Sequence, residues 1–471
     1  MKNKNTILMK NKIILLRRKM KNKKDIVITI FGATGDLTAR KLLPAIKSLH
    51  EQKALSNNIS VLLLGRKDYT TETYLNEMAK VEKNKLDINY LKQFVEYVKL
   101  EITKENEYEV LKEKLKEYSS ESTKKLFYLA ISPNLLKVVA SAIHKNNIVK
   151  KGNNLERIIF EKPFGVDLKS AKSINKMLWQ YFTEEQIYRI DHYLGKESIQ
   201  NIMTMRFANR IYEAVWNKRH IKSVTIYAKE NLGILNRGAY YNDSGALKDM
   251  VQSHLLQVLS LIAMEPPKSY YSSDVKRKKI KVLKKLSFDK KSLILGQYDG
   301  YLNEKDIPKN STTETYVFLK ALVNSKRFKN VPFYLVTGKK LNNKESGIVI
   351  EFKETKEQKK WNLPLKTNTL LIEIAPNDGI KVSFNTKVSG IRTQILPVQL
   401  EYASKSYAVG NIKEAYEHLL LDALEGSKTL FTRWDEIEAL WKFTDKIKKA
   451  DLKLLVYKTE EDLLKVQENI L

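Results

Sequence analysis

The sequence predicts two successive domains: a doubly wound parallel α/β domain over residues 25–190, then a larger α+β domain with a mainly antiparallel sheet over 191–471. Three observations carry this. Apolar, β-branched runs alternate with helix-like stretches through the first third of the chain. A glycine turn follows the first of those runs, and after about Asp191 the alternation gives way to a long helix signal and then several strand-like runs. A chain of 471 residues with 43% hydrophobic content has enough material for two or three ordinary cores.

Taken in order, Met1 to Lys24 is strongly basic and encloses only one short apolar run, Ile13-Ile14-Leu15-Leu16. That run is too short for a signal sequence or a membrane span, and Arg17-Arg18-Lys19 stands where a small-residue cleavage site would be needed. The segment reads as a disordered extension, with Met9 and Met20 as alternative starts, and neither export nor a membrane location is expected. Ile26 to Phe31 is a buried strand entering the turn Gly32-Ala33-Thr34-Gly35-Asp36-Leu37. A helix around Leu42 to Gln52 and a strand at Ile59 to Leu64 complete a β-α-β unit. Further strands are expected at Phe94 to Leu100, Leu126 to Ile131 and Arg157 to Phe160, with helices at Glu107 to Tyr118 and Leu135 to His144 between them. Beyond Asp191 a helix is expected around Ala246 to Met264, then strands at Thr315 to Leu322, Gly347 to Phe352 and Thr369 to Ile374. The basic run Lys276 to Lys285 reads as a solvated face, and there is no internal repeat.

The formal charge is +30, from 84 Lys and Arg against 54 Asp and Glu. Lysine is abundant throughout and no aromatic–basic recognition module stands out, so the charge reads as compositional, with anionic substrates steered by the field and no nucleic-acid partner. The chain has no cysteine, which excludes disulfides, thiolate metal sites and cysteine nucleophiles and fits a reducing, cytoplasmic setting.

Five peptides carry the chemistry. Gly32 to Leu37 lies after a strand and before a helix, where backbone donors can approach a pyrophosphate and the helix N-terminus favours its charge. The second strand ends Leu64-Gly65-Arg66-Lys67 with no acid at its tip to hold ribose hydroxyls, and Arg66 offers a planar donor set suited to a 2′-phosphate. Glu161-Lys162-Pro163-Phe164-Gly165 follows a strand, so Lys162 emerges at a carboxyl end, the rim of a ligand site in such sheets; a cis Lys-Pro bond and a plain turn are both open. Arg189-Ile190-Asp191-His192-Tyr193-Leu194-Gly195-Lys196-Glu197 gathers imidazole, phenol and ammonium donors that can grip a phosphate, while Asp191 would repel such a ligand and is better suited to orienting an imidazole. A helix beginning Gly245-Ala246-Leu247-Lys248-Asp249 brings His254, five residues after Asp249, a spacing that faces poorly on an α-helix.

The run Arg189 to Glu197 resembles the sugar-phosphate signature of the glucose-6-phosphate dehydrogenases, and the blocks at 32–37, 161–165 and 245–257 are similar to that family's other motifs in the same order. Arg206 to Asn217, Glu230, Gly233, Gly338-Lys339, Lys344, Glu414 to Asp422 and Thr429 to Glu436 extend the likeness over about 400 residues. The resemblance implies a Rossmann-type first domain and oxidation of glucose 6-phosphate to 6-phosphogluconolactone with reduction of NADP⁺, NAD⁺ being a secondary coenzyme. That is the entry step of the pentose phosphate pathway. It further implies that His254 is the general base and Asp191 its partner, and that His192, Tyr193 and Lys196 bind phosphate. Glu230, Asp249, Lys339 and Lys344 would hold sugar or phosphate, and Lys162 would touch both substrate and coenzyme. Gly32, Ala33, Thr34, Gly35, Asp36 and Leu37 would form the coenzyme loop, with Arg66 at the 2′-phosphate. No metal is implied, and a homodimer or homotetramer through the large sheet is. The chain departs from the family pattern at Ser253, where Asn is usual, at Ala214, where proline is usual, and at Lys344, which is often Arg. The contrasting reading is a basic nucleic-acid-binding protein on a dehydrogenase-like scaffold, which the presence of both Asp191 and His254 argues against.

Overall fold

Ile26–Phe31 forms the central strand β1, and all six residues are buried, as a strand covered on both faces requires. The structure is a computed structural model that describes residues 23–81, 86–361, 366–389, 395–403, 414–450 and 452–470. The expected N-terminal extension lies outside these up to Asn22, and the Lys24 N–H already donates to the Tyr118 carbonyl at 2.7 Å. By internal contacts the chain divides into two units. One holds the residues up to Phe164 with Ser173–Ile190 and Tyr416–Arg433; the other holds Gly165–Lys172, Asp191–Ala415 and Trp434–Leu471.

The first unit is built on β1, β2 (Ile59–Gly65), β3 (Val95–Lys99), β4 (Lys124–Leu129), β5 (Glu156–Phe160) and β6 (Ile187–Ile190). With the two-residue β15 (Phe431–Thr432) they form one sheet in the order β15-β6-β5-β4-β1-β2-β3. All neighbours are parallel except β15, which runs antiparallel to β6. β1 pairs with both β2 and β4, so strand order reverses beside it, and the carboxyl end of β1 is the crevice where doubly wound sheets bind ligands. The apolar face of the Tyr108–Tyr118 helix, through Tyr108, Leu111 and Leu115, closes one core with Val27, Phe31, Leu62 and Leu64. The chain's return to this unit at Tyr416 is additional to the expected division at Asp191. Arg157 of β5 donates to the carbonyls of Ala423 and Leu424 at 2.8 and 2.7 Å, tying the returning helix to the sheet.

In the second unit the strands are β7 (Ile221–Lys229), β8 (Leu286–Tyr298), β9 (Tyr316–Val323), β10 (Pro332–Gly338), β11 (Glu345–Phe352), β12 (Thr369–Ala375), β13 (Gly379–Lys387), β14 (Ile395–Ala403) and β16 (Leu455–Tyr457). They make a nine-stranded sheet in the order β14-β13-β12-β11-β7-β10-β9-β8-β16. It is mainly antiparallel, as expected, with two parallel pairs, β7 with β10 and β8 with β16. Because β7 and β10 are parallel and adjacent, with Gly338 opposite Lys229, Glu230 and Lys339 leave the sheet at the same edge.

The basic run behaves differently from the expectation. It lies in the helix Ser272–Leu283, where Lys276 and Lys279 are buried; Lys279 pairs with Glu436 at 2.9 Å, with 2% and 0% of their side chains exposed. The solvated face holds for the exposed Arg277, Lys281, Lys284 and Lys285 but not for Lys276 and Lys279, which lie on the side that Val275, Ile280, Val282 and Leu283 carry into the core. Among the described residues no helix is long and apolar enough to cross a membrane.

Candidate functional site

Two constellations result, one in each unit. In the first, Gly32 has φ +88° and a Cβ there would stand 2.2 Å from the Ala130 carbonyl oxygen, so only glycine fits at the end of β1. Gly35 N–H donates to Gly32 O at 3.1 Å and Thr38 Oγ1 to the same oxygen at 3.1 Å, closing the turn. Ala33 is buried, Thr34 is exposed, and the exposed Asp36 pairs with Arg40 at 2.5 Å. Leu37 leads into a π-helical turn, Thr38–Leu42. A backbone that admits no side chain at the mouth of the crevice fits a dinucleotide pyrophosphate.

At the end of β2, Arg66 and Lys67 are exposed, and Lys67 lies against Tyr69, 5.6 Å from its ring centre. Asp68, the nearest acid, turns to Lys99 at 3.2 Å. The tip thus keeps its cations and diverts its carboxylate, which fits a phosphorylated ribose better than a bare one. After β5 the Lys162-Pro163 peptide is cis. Glu161 beside it is half-buried and hydrogen-bonded by the Tyr128 and Tyr416 hydroxyls; desolvation raises its carboxyl above the usual range, those bonds opposing.

In the second unit the chain leaves β6 at Asp191 and makes a tight turn. Leu194 N–H donates to Asp191 O at 3.0 Å and Lys196 N–H to Tyr193 O at 3.1 Å, before the helix Glu197–Ala208. This turn presents Asp191, His192, Tyr193 and Lys196 in close succession. Gly195 sits where a Cβ would meet the Ala415 carbonyl oxygen at 2.7 Å, so the glycine serves close approach. Asp191 Oδ1 accepts the Tyr193 N–H at 3.1 Å and lies 2.5 Å from His254 Nδ1; both side chains are buried, 4% and 0% exposed. With its proton on Nδ1 the imidazole donates to this carboxylate, leaving Nε2 as the basic atom.

His254 is packed on two further sides. Tyr193 stacks on it, centroids 4.4 Å apart and planes 14° from parallel, and His192 meets it edge-on at 4.5 Å. The Lys196 ammonium lies 4.4 Å from the centre of the Tyr193 ring. Burial holds Lys196 below the ordinary lysine range; Asp378 opposes this, and the Lys344 charge pushes further down. Two cations near enough to repel each other are a natural seat for a phosphate dianion. The Tyr193 hydroxyl is pushed upward, first by burial, then by the charges of Glu230, Asp191 and Asp249, against a Ser346 hydrogen bond.

His254 and Asp249 ride on one winding. Leu247–Leu255 is π-helical, continuing into the helix Leu256–Ala263. A π-helix bonds i to i+5, so residues five apart lie about one turn apart, which corrects the poor facing expected from α-helical spacing. Ser253 turns its hydroxyl back to the Asp249 carbonyl at 3.1 Å. Asp249 accepts from the Tyr240 hydroxyl at 3.3 Å, and Tyr240 is pushed up to about 12, by burial first and Asp249 second. Lys339 pairs with Glu230 and sits 5.4 Å from the centre of the Tyr241 ring.

Sequence reasoning missed Tyr240, Tyr241 and Ser346 as parts of this site. The two tyrosines show only as a pair just ahead of the Gly245 block, and Ser346 enters through sheet pairing, which a single sequence does not display. The Asp191–His254 pair, the cations Lys196 and Lys344, and the Glu230–Lys339 pair are all held within the second unit, while Gly32 to Leu37, Arg66 and Lys162 belong to the first.

Residues 29–201 match the model of the glucose-6-phosphate dehydrogenase NAD binding domain and residues 203–462 that of the C-terminal domain. A glucose-6-phosphate 1-dehydrogenase of Chlamydia pneumoniae is 37% identical over 462 residues, covering 90% of this chain and 89% of that one. One from Streptococcus pneumoniae is 39% identical over 449 residues, covering 90% of each. A solved structure of a glucose-6-phosphate dehydrogenase in complex with its substrate glucose-6-phosphate superposes with a TM-score of 0.87 at 31% identity, covering 95% of this chain and 98% of that one. Matched in both halves and by relatives along nine-tenths of its length, the chain belongs to the glucose-6-phosphate dehydrogenase family, an oxidoreductase family with a nicotinamide coenzyme.

Proposed function

We propose that this chain oxidises glucose 6-phosphate at C1 to 6-phosphoglucono-1,5-lactone with NADP⁺ as the coenzyme, the first step of the oxidative pentose phosphate pathway. The observation that carries the reading is the buried 2.5 Å contact of His254 Nδ1 with Asp191. It fixes the tautomer that makes Nε2 a base and stabilises the imidazolium that forms, a requirement of proton abstraction and not of nucleic-acid binding. His254 Nε2 takes the C1 hydroxyl proton as the C1–O bond becomes a carbonyl and the C1 hydrogen leaves as hydride; general-base catalysis of this kind contributes about 10²–10⁴-fold. The coenzyme supplies the hydride acceptor.

His192, Tyr193 and Lys196 bind the phosphate, assisted by Lys344. Glu230, Asp249 and Lys339 hold sugar hydroxyls or phosphate, and Lys162 contacts both sugar and coenzyme. Gly32 to Leu37 receives the pyrophosphate and Arg66 the 2′-phosphate, with NAD⁺ as a weaker alternative. The protein acts in the cytoplasm as a homodimer or homotetramer. Steady-state absorbance kinetics with glucose 6-phosphate against NADP⁺ and NAD⁺ tests the reading: efficient reduction of NADP⁺ is expected, and no reduction of either coenzyme overturns it.

A further inference from the structure

The segment Ser311-Thr312-Thr313-Glu314-Thr315 makes a strap that no step of the reaction uses. It binds three things. Ser311 and Thr313 hydroxyls donate to Asn242, Thr313 at 2.7 Å to its carbonyl, securing the helix Gly238–Ala246. Thr315 O accepts the Lys339 N–H at 3.0 Å. Between them, Glu314 O accepts the Ala246 N–H at 3.0 Å and its carboxylate Oε1 accepts the Leu247 N–H at 2.9 Å. Those two N–H groups open the winding that carries Asp249 and His254.

Gly245 confirms how closely the strap is fitted. Its φ is +62°, and a Cβ would lie 2.3 Å from Glu314 Oε1, so the glycine both turns the chain and makes room for this carboxylate. The first N–H groups of a helix have no intrahelical acceptor, and an anion there is favoured by the helix dipole. The segment behind them is π-helical, a winding that is rare and needs a reason to persist. Fixing its first two donors fixes the register of everything after them.

We propose that Glu314 is a positioning residue: its side-chain oxygen on Leu247 N–H sets the register of the π-helical segment, and so the alignment of His254 against Asp191. This rests on His254 being the base, since its kinetic consequence depends on that role. Glu314→Gln keeps an acceptor oxygen at the same reach, whereas Glu314→Asp keeps the charge but shortens the arm by one methylene. The Asp variant is expected to lose about 10-fold or more in kcat, as an ångström-scale misplacement does, with the KM for NADP⁺ within about twofold. The Gln variant is expected to stay within about threefold of the parent in kcat. One-dimensional proton NMR supplies a readout independent of activity: the downfield proton of the short His254–Asp191 bond, identified by its absence in His254→Asn, should weaken or shift in Glu314→Asp and persist in Glu314→Gln. Parent-like kcat and parent-like resonance in folded Glu314→Asp, or a Gln variant as slow as the Asp one, overturns the proposal. A parent enzyme without activity would instead overturn the base assignment, and the resonance alone would then decide whether Glu314 positions the imidazole.

Discussion

Tyr193 and His254 lie nearly parallel, 14° apart in plane and 4.4 Å between centroids, and the Lys196 ammonium is 4.4 Å from the centre of the same tyrosine ring. One ring therefore touches both the imidazole and the cation, so the turn that holds the proposed phosphate group also packs the proposed base. Misplacing either should be felt by the other.

His254→Asn is expected to lower turnover by at least about 10²-fold with little change in either KM, because the variant removes the proton acceptor and keeps an amide N–H that can still meet Asp191. Asp191→Asn should be impaired to a similar degree, since an amide no longer stabilises the imidazolium. Steady-state kinetics of the folded variants decides this; near-parental turnover in His254→Asn removes the base assignment.

Lys196→Ala should raise the KM for glucose 6-phosphate far more than that for NADP⁺. The charge of Lys196 is lost at lower pH than an ordinary lysine's, because burial and then the Lys344 charge depress it while Asp378 opposes. Since the charged form binds phosphate, kcat/KM for glucose 6-phosphate should fall as pH rises through that depressed value. Asp378→Asn removes the opposing carboxylate and should move this alkaline limb to lower pH. Superimposable profiles for the parent and Asp378→Asn would show that Lys196 does not set the limb.

Arg66→Ala, and more fully the double change with Lys67→Ala, should weaken NADP⁺ much more than NAD⁺. A charge-assisted contact is worth about 1.5–3 kcal/mol, so the preference should shift by roughly 10- to 100-fold. An unchanged ratio of kcat/KM values for the two coenzymes in the double variant would show that the tip of β2 does not read the 2′-phosphate.

Away from the site, Lys279→Ala should destabilise the fold by about 3–5 kcal/mol, because it breaks a buried ion pair by removing one of its two members. Lys279→Met with Glu436→Leu should recover most of that loss. Urea denaturation followed by circular dichroism measures both; a single variant as stable as the parent would mean that water reaches Glu436.

The parallel sheet was largely legible because strands buried on both faces read as continuous apolar runs, as Ile26–Phe31 does, and because glycine turns mark their ends. The site peptides were legible for a similar reason: they are short, contiguous and rich in groups that folding alone does not need. What escaped lies in pairing between distant segments. β6 and β15 are only four and two residues long and gain their place from the neighbours they meet. The five-residue gap between Asp249 and His254 looked unfavourable under α-helical periodicity, and only the π-helical winding makes it serviceable. Lys276 and Lys279 read as surface because lysine is common here, whereas apolar neighbours on the same helix carry both inside.

The pairing of β15 with β6, and the grip of Arg157 on Ala423 and Leu424, bear on the order of events during synthesis. A ribosome that has just made Ile190 must still add 243 residues, 433 minus 190, before Arg433 completes the coenzyme-binding unit. At about 5–20 residues per second that is a delay of roughly 12–50 s. Throughout it the outer edge of β6 stays open on the nascent chain and Arg157 lacks its two carbonyl acceptors. A fragment ending at Ile190 would keep that open edge permanently, so the nucleotide-binding half should be an aggregation-prone product when expressed without the C-terminal segment.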